Sequence, residues 1–379
     1  MISMNTRKKT SRKAGVALLV VLIIVMAITI TALGFLSQSD VELACGQNML
    51  LRTQMDYLAE SGFEHARGLI LNPQDVSGEY WTGSTGLQLA AGGDFYDVTV
   101  VRDASDRCNY MIDCDAYREE GTERVGLSRL RAELRLDPCI AYWAGVSTTI
   151  PSQMIIRGDV YCGGPLTNNG FIYGDVFAAG TISGVNITGR KNGSVASAPV
   201  AWPNLAVADF APTYYVGSTP CSAQQIVDVN IPTPSSLPGV WYGTGNVNIP
   251  GNVTINGTLV VGGNLTVSGT NNVITAVKNF PALLVGGQVL MKDGSSLEVN
   301  GLAQIEQPIA VDPSPTITPR INVTGGLFIH NGGVTSPSIT VSVTAAPAIA
   351  SIEIWPTAGT PKRWGQAAGA FFKSIERIK

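Results

Sequence analysis

Hydrophobic and polar positions fall into three regimes along the chain. From Val16 to Leu36 the residues V-A-L-L-V-V-L-I-I-V-M-A-I-T-I-T-A-L-G-F-L carry no charge. As a helix this run spans roughly 31 Å, the thickness of a bilayer core. The apolar positions then thin to Leu51, Met55, Leu58, Gly62, Ala66 and Leu69. Steps of three or four predict one buried stripe on a helix. A continuous helix from Val16 to Leu71 would be roughly 84 Å long. Asn72-Pro73 closes it, because proline disfavours helix at the residue before it.

Between Gly78 and Pro138 the period changes to two. Tyr96, Val98 and Val100 alternate with Asp97 and Thr99, and Leu130, Ala132, Leu134 and Leu136 alternate with Arg131, Glu133 and Arg135. Each pattern predicts a half-buried strand, and a third is expected near Asn109 to Asp113. The three form an antiparallel meander against the helix. After about Cys139 the pattern becomes repetitive. Gly251, Gly257, Gly263 and Gly269 are six residues apart, and Val253, Leu259 and Leu265 keep that step, as do Ile255, Val261 and Val267. This predicts short rungs stacked into a parallel β-solenoid, with a β-sandwich of Gly-rich hairpins as the alternative. Pro, Trp and Tyr interrupt the repeat at about 190–248, which reads as an excursion from one edge. In the tail, 346–379, Phe371, Phe372, Ile375 and Ile378 stand among Lys373, Arg377 and Lys379. That spacing predicts a helix capping the solenoid, or one lying on a membrane surface. The fold class expected is α+β: a long N-terminal transmembrane and amphipathic helix, a small antiparallel β meander, then a mainly-β parallel β-solenoid.

Composition supports this division. Charged residues make up 14% of the chain, against roughly 25% in an average globular protein, while 42 glycines suit tightly turning β structure. Arg7, Lys8, Lys9, Arg12 and Lys13 precede the apolar run with no acid among them, and no basic residue follows it before Arg52. The positive-inside tendency therefore holds the N-terminus in the cytoplasm, the helix in the membrane, and everything beyond Ser37 outside. Without those five residues, 20 basic face 28 acidic ones. That balance argues against nucleic acid as a partner. None of the six cysteines, Cys45, Cys108, Cys114, Cys139, Cys162 and Cys221, forms a C-x-x-C pair, so no metal site and no cofactor is expected. Their pairing is open, except that joining Cys108 to Cys114 would need a turn between them.

Three readings of the N-terminal run compete. A secretory signal peptide has a shorter apolar region. A lipoprotein signal at Leu43-Ala44-Cys45 fails because Glu42 stands where leucine is needed. A plain signal anchor explains everything except the edges of the run. There, a basic leader, Ala14-Gly15 and then Val16-Ala17-Leu18-Leu19-Val20-Val21-Leu22 resemble the class III leader of type IV pilins and pseudopilins. The resemblance implies a leader over 1–15, cut by prepilin peptidase between Gly15 and Val16. Downstream, Ala59-Glu60-Ser61-Gly62-Phe63-Glu64-His65-Ala66 resembles the A-E-x-G-x-x-x-A stretch of PilX-type minor pilins, with Ala59, Glu60, Gly62 and Ala66 in the matching positions. Most pilins carry Glu at the fifth mature position. Val20 stands there instead, as in the K-type minor pseudopilins, which implies a subunit at or near a filament tip. The Gly-rich repeat also resembles bactofilin-type β-helices at the level of pattern. The family implies other pilins or pseudopilins as partners, and a final place on a pilus or the cell surface. The domains expected are 1–15 leader, 16–72 helix, 73–138 meander, 139–345 solenoid and 346–379 tail.

Candidate chemistry is sparse. A nucleophile-histidine site in the β-rich region could use only His330, since the other histidine, His65, lies in the helix. Residues 250 to 345 supply the carboxylates Asp293, Glu298, Glu306 and Asp312, too few for a polysaccharide-cleaving face. The Asp103/Asp106 and Asp113/Asp115 pairs read as solvated loop ends, without EF-hand spacing. Sequons at Asn186, Asn192, Asn252, Asn256, Asn264 and Asn322 read as turn residues tolerant of the left-handed conformation. No enzyme is expected. The contest is between a filament subunit and a membrane-anchored adhesin that binds a surface glycan or protein.

Overall fold

The computed structural model describes residues 11–71, 80–104, 108–137, 139–227, 239–277, 280–313, 315–346, 352–364 and 369–378, with side chains from Ala17 in the first segment and from Phe372 in the last. One helix, α1 (Ser11–Leu71), carries both apolar patterns. Its first half leaves Leu18 to Leu50 exposed, and Thr29 and Thr31 donate their hydroxyls back to the carbonyls of Val25 and Ala27. Those bonds remove two polar groups from an otherwise apolar surface. Its second half buries Met55, Leu58, Ala59, Phe63, Ala66 and Ile70.

That stripe packs on one antiparallel sheet. β1 (Gly83–Leu87), β2 (Asp94–Arg102), β3 (Asn109–Glu120) and β4 (Glu123–Asp137) follow in order, and a strand from the C-terminus, Gly369–Arg377, completes the sheet beside β4. The expected tail helix is therefore a strand. Its register slips between Phe372 and Ser374, leaving Lys373 unpaired with β4. Such a bulge adds one residue to a two-residue alternation and so produces three-residue spacing. Phe372 packs on Phe63 of α1, with ring centroids 5.7 Å apart.

Because β4 and the C-terminal strand are neighbours, the β-solenoid is an insertion within the head sheet. It begins in its own middle. Ile140–Ala144 is followed outward by Asp159–Cys162, Val176–Ala178 and Lys191–Gly193, each parallel to the last. The chain then leaves, returns at the far end with Gln224–Gln225 and Gly239–Gly243, and winds back through Thr254–Val261, Leu283–Val285 and Ser296–Ile305 to Arg320–Ile329. That last strand pairs in parallel with the first, Leu327 opposite Tyr142. Since Lys191–Gly193, Gly239–Gly243 and Val247–Ile249 are rungs, the excursion is narrower than 190–248.

The six-residue glycine step is one side of a three-sided coil. Gly239 is the register partner of Gly257, and Val247 of Leu265. At the corner Gly257 has φ 149°, and a Cβ there would strike the Gly239 carbonyl below it. Ile255, Leu259, Val261, Leu265 and Val267 fill the interior. One side is buried on both faces, which explains its unbroken apolar runs. Trp143, Val260, Leu284, Leu302 and Phe328 point away from the interior and are covered by Phe210 and Tyr214 of the excursion and by Ile352 and Ile354 of a hairpin, Ile352–Thr357 with Thr360–Trp364.

Candidate functional site

The residues singled out by sequence fall on α1, and the helix divides them. Gly15 and Val16 lie within its helical backbone. Val20 is 47% exposed among exposed Leu19, Val21, Leu22 and Ile23. Among the described residues, this is the one helix long and apolar enough to cross a membrane, and no part of its apolar window is buried.

Further along, Ala59, Gly62 and Ala66 face the sheet, and their small size sets the contact distance. A Cβ on Gly62 would strike Cys114 Sγ, and would lie 3.1 Å from Tyr96 and 3.3 Å from Val98. Burial, with Asp115 and Asp97 close by, pushes the Cys114 thiol up to about 12. Glu60 is exposed, in the lining of a groove beside the stripe with Tyr57 and Glu64. The four-residue motif therefore combines three helix–head contacts with one outward acid. Asp56 accepts a hydrogen bond from Ser128 of β4 and pairs with Arg377 of the C-terminal strand. Burial alone would raise its carboxyl, but those partners hold it below the ordinary aspartate value.

Beside the stripe lies an open groove of about 770 Å³, lined by Tyr57, Glu64, His65, Leu89, Phe372 and Ile375. His65 shares a 3.0 Å hydrogen bond with the Tyr96 hydroxyl. In the solenoid, His330 Nδ1 is 2.8 Å from Glu306 Oε2, and its ring stacks on Trp202 at 4.6 Å. Among the described residues neither histidine bonds a serine, threonine or cysteine side chain. The other solenoid carboxylates have separate partners: Asp293 accepts from Thr316 and Ile317, Glu298 from Asn300, and Asp312 from Lys292.

Two expectations are corrected. Asp113 and Asp115 lie within β3 and pair across to Arg131 and Arg129 of β4, so they are cross-strand ion pairs and not loop ends; Asp106 lies outside the described residues. Of the sequon residues, Asn186 and Asn252 are left-handed as expected. Asn192, Asn256 and Asn322 lie in strands, and Asn264 caps a corner by accepting from Gln288 N while its own N–H donates to Asn246.

Sequence reasoning missed the junction between head and solenoid. Cys108, before β3, is bonded to Cys139, where the solenoid begins, with Cα atoms 6.4 Å apart. Beside it the buried Asp159 accepts from Arg135 of β4 and from the backbone N–H of Cys139 and Asp175. Burial raises this carboxyl, and Arg135 and the two amides offset only part of the rise. The signal was present: Gly158-Asp159-Val160 recurs as Gly174-Asp175-Val176, and Val160 and Val176 are register partners in successive coils.

No protein-family model and no curated protein matches the chain. Among solved structures, the competence-associated pilin ComZ from Thermus thermophilus is similar over 86% of this chain and 97% of its own, at 12% identity and a TM-score of 0.23. A likeness that loose carries no argument, so function is argued from this chain's own helix and head.

Proposed function

We propose that this chain is a type IV pilin-like structural subunit, a minor pilin or pseudopilin that displays its solenoid outside the cell. One observation carries this reading. A single unbroken helix has an apolar half with nothing packed on it and a second half buried in an antiparallel head. The 20 residues of exposed apolar helix from Ala17 to Leu36 need a membrane, other helices, or both in turn. The division matches what the leader resemblance implies: cutting after Gly15, storage in the inner membrane, then assembly with other pilins. The role is structural and not catalytic, in keeping with two histidines tied to Tyr96 and Glu306.

A tip position follows from Val20 and from bulk. A buried amine without a carboxylate partner is costly, and Val20 offers none to an adjoining subunit. An inserted solenoid is also tolerated best where nothing stacks above it. Immunogold labelling of sheared filaments tests this: label at one end supports the proposal, and label spaced along the shaft contradicts the tip position. Filaments without label, with the protein retained whole in the membrane, would favour the anchored adhesin.

A further inference from the structure

The head and the solenoid enclose a cleft of about 420 Å³, within the range of small-ligand sites. Arg135 and Lys373 reach it from the head, and Arg157, Tyr173, Asp175 and Thr188 from the solenoid. Its carboxylates are already engaged. Asp175 accepts three hydrogen bonds from Arg190, and Asp159 behind it accepts from Arg135. Lys373 pairs with Glu133 at 2.8 Å. Arg157 differs. It is exposed, its guanidinium lies 4.9 Å from the Tyr173 ring centroid, and among the described residues it pairs with no carboxylate.

Arg157 also belongs to a row. Thr275, Asn300, Thr324, Thr344, Arg157 and Tyr173 are successive register partners on one side of the solenoid, all at least partly exposed. Rungs of a parallel sheet stand about 4.8 Å apart. The row is thus a straight line of amide and hydroxyl groups that ends at an unpaired cation and an aromatic ring inside a cleft. The adjoining row has Glu298, Asn322 and Ser342.

We propose that the row and cleft bind a linear acidic polysaccharide, with one sugar carboxylate on Arg157 and its ring against Tyr173. A planar guanidinium donates two parallel bonds to a carboxylate. The uncharged row suits sugar hydroxyls. It suits a nucleic acid poorly, since stacked bases need aromatic faces along the strand and Tyr173 is the one ring in the row. Lys373 comes from the C-terminal strand, so the site is complete only when that strand is paired in the head sheet. Neither leader cleavage nor filament assembly is needed for it.

The test uses the full chain in detergent micelles, titrated with oligogalacturonate, polysialic acid, methyl-esterified oligogalacturonate and dextran sulfate. At least one carboxylated polymer should bind about tenfold or more tightly than the ester. Arg157→Gln should weaken that binding about tenfold or more, the loss expected of a charge-assisted hydrogen-bond pair, with partial rescue by Arg157→Lys. Thr324→Val should weaken long oligomers and leave a disaccharide unaffected, while Arg363→Gln, on the outer hairpin, should change nothing. Equal binding of ester and acid would overturn the proposal. So would equal losses in Arg157→Gln and Arg363→Gln, dextran sulfate binding as tightly as the carboxylated polymers, or no binding of either carboxylated polymer to folded protein.

Discussion

Tyr142, in the first coil of the solenoid, is the parallel register partner of Leu327, in its last long strand. The chain therefore starts its solenoid in the middle, builds outward, crosses to the far end and winds back until the two meet. Both ends of the insertion return to the head sheet, one into β4 and one into the strand beside it. A domain held at both ends to adjacent strands is oriented by the sheet and not by a single flexible linker.

The interior of that solenoid is closely packed, and Val261 is fully buried within it. Val261→Asp places an unpaired charge in that interior, beside its register partner Val285, a change expected to cost at least about 4 kcal/mol. Circular dichroism should show loss of β structure. A mutant with the wild-type spectrum and melting point would refute the register.

The helix motif separates into a packing part and an exposed part. Gly62→Val should destabilise the head by about 2–3 kcal/mol, because the new side chain meets Cys114, Tyr96 and Val98. Glu60→Ala should stay within about 0.5 kcal/mol. Urea unfolding in detergent, followed by tryptophan fluorescence, compares the two. Equal effects would mean that the motif faces are assigned wrongly.

The Cys108–Cys139 bond closes a loop with a sequence separation of 31 residues, for which chain entropy gives about 3.7 kcal/mol. Reduction should lower the unfolding midpoint of the head accordingly. Cys114, buried and with its thiol raised to about 12, should resist alkylation at neutral pH until the head unfolds. Rapid labelling of Cys114 in the native protein would contradict the packing.

Acid stability has a sign fixed by three carboxyls. Asp56 and Asp175 are held below the ordinary value when folded, so their contribution is complete above the unfolded aspartate value near 4 and is lost as pH falls through their folded values. Asp159 is raised by burial, so its protonation favours the fold as pH falls. Arg377→Ala and Arg190→Ala should therefore flatten the loss of stability as pH falls through about 4 and below. An unchanged slope in both would show that these pairs are not formed in solution.

The helix and the strands β2 to β4 were legible because each keeps one period over many residues. The second half of the helix could be set against the meander, though the partners of a single residue could not, since those of Gly62 come from both β2 and β3. The insertion was hidden by two causes, one local and one long-range. The bulge at Lys373 disguised a strand as a helix, and the pairing of Phe372 with Leu134 joins distant parts of the chain. The six-residue glycine step was visible, but coils that lengthen at their corners, as between Leu259 and its partner Leu283, concealed how many sides make one coil. The cleft at Arg157 could not be read, because its row is assembled by register and never appears as a run in the sequence.

The central claim is that α1 begins as a prepilin and ends as a filament helix, and N-terminal sequencing of the membrane form tests it most directly. Expressed with prepilin peptidase, the protein should begin at Val16; without the enzyme, or with Gly15→Leu, it should keep its basic leader. A leader that stays intact in the presence of an active peptidase would contradict the account.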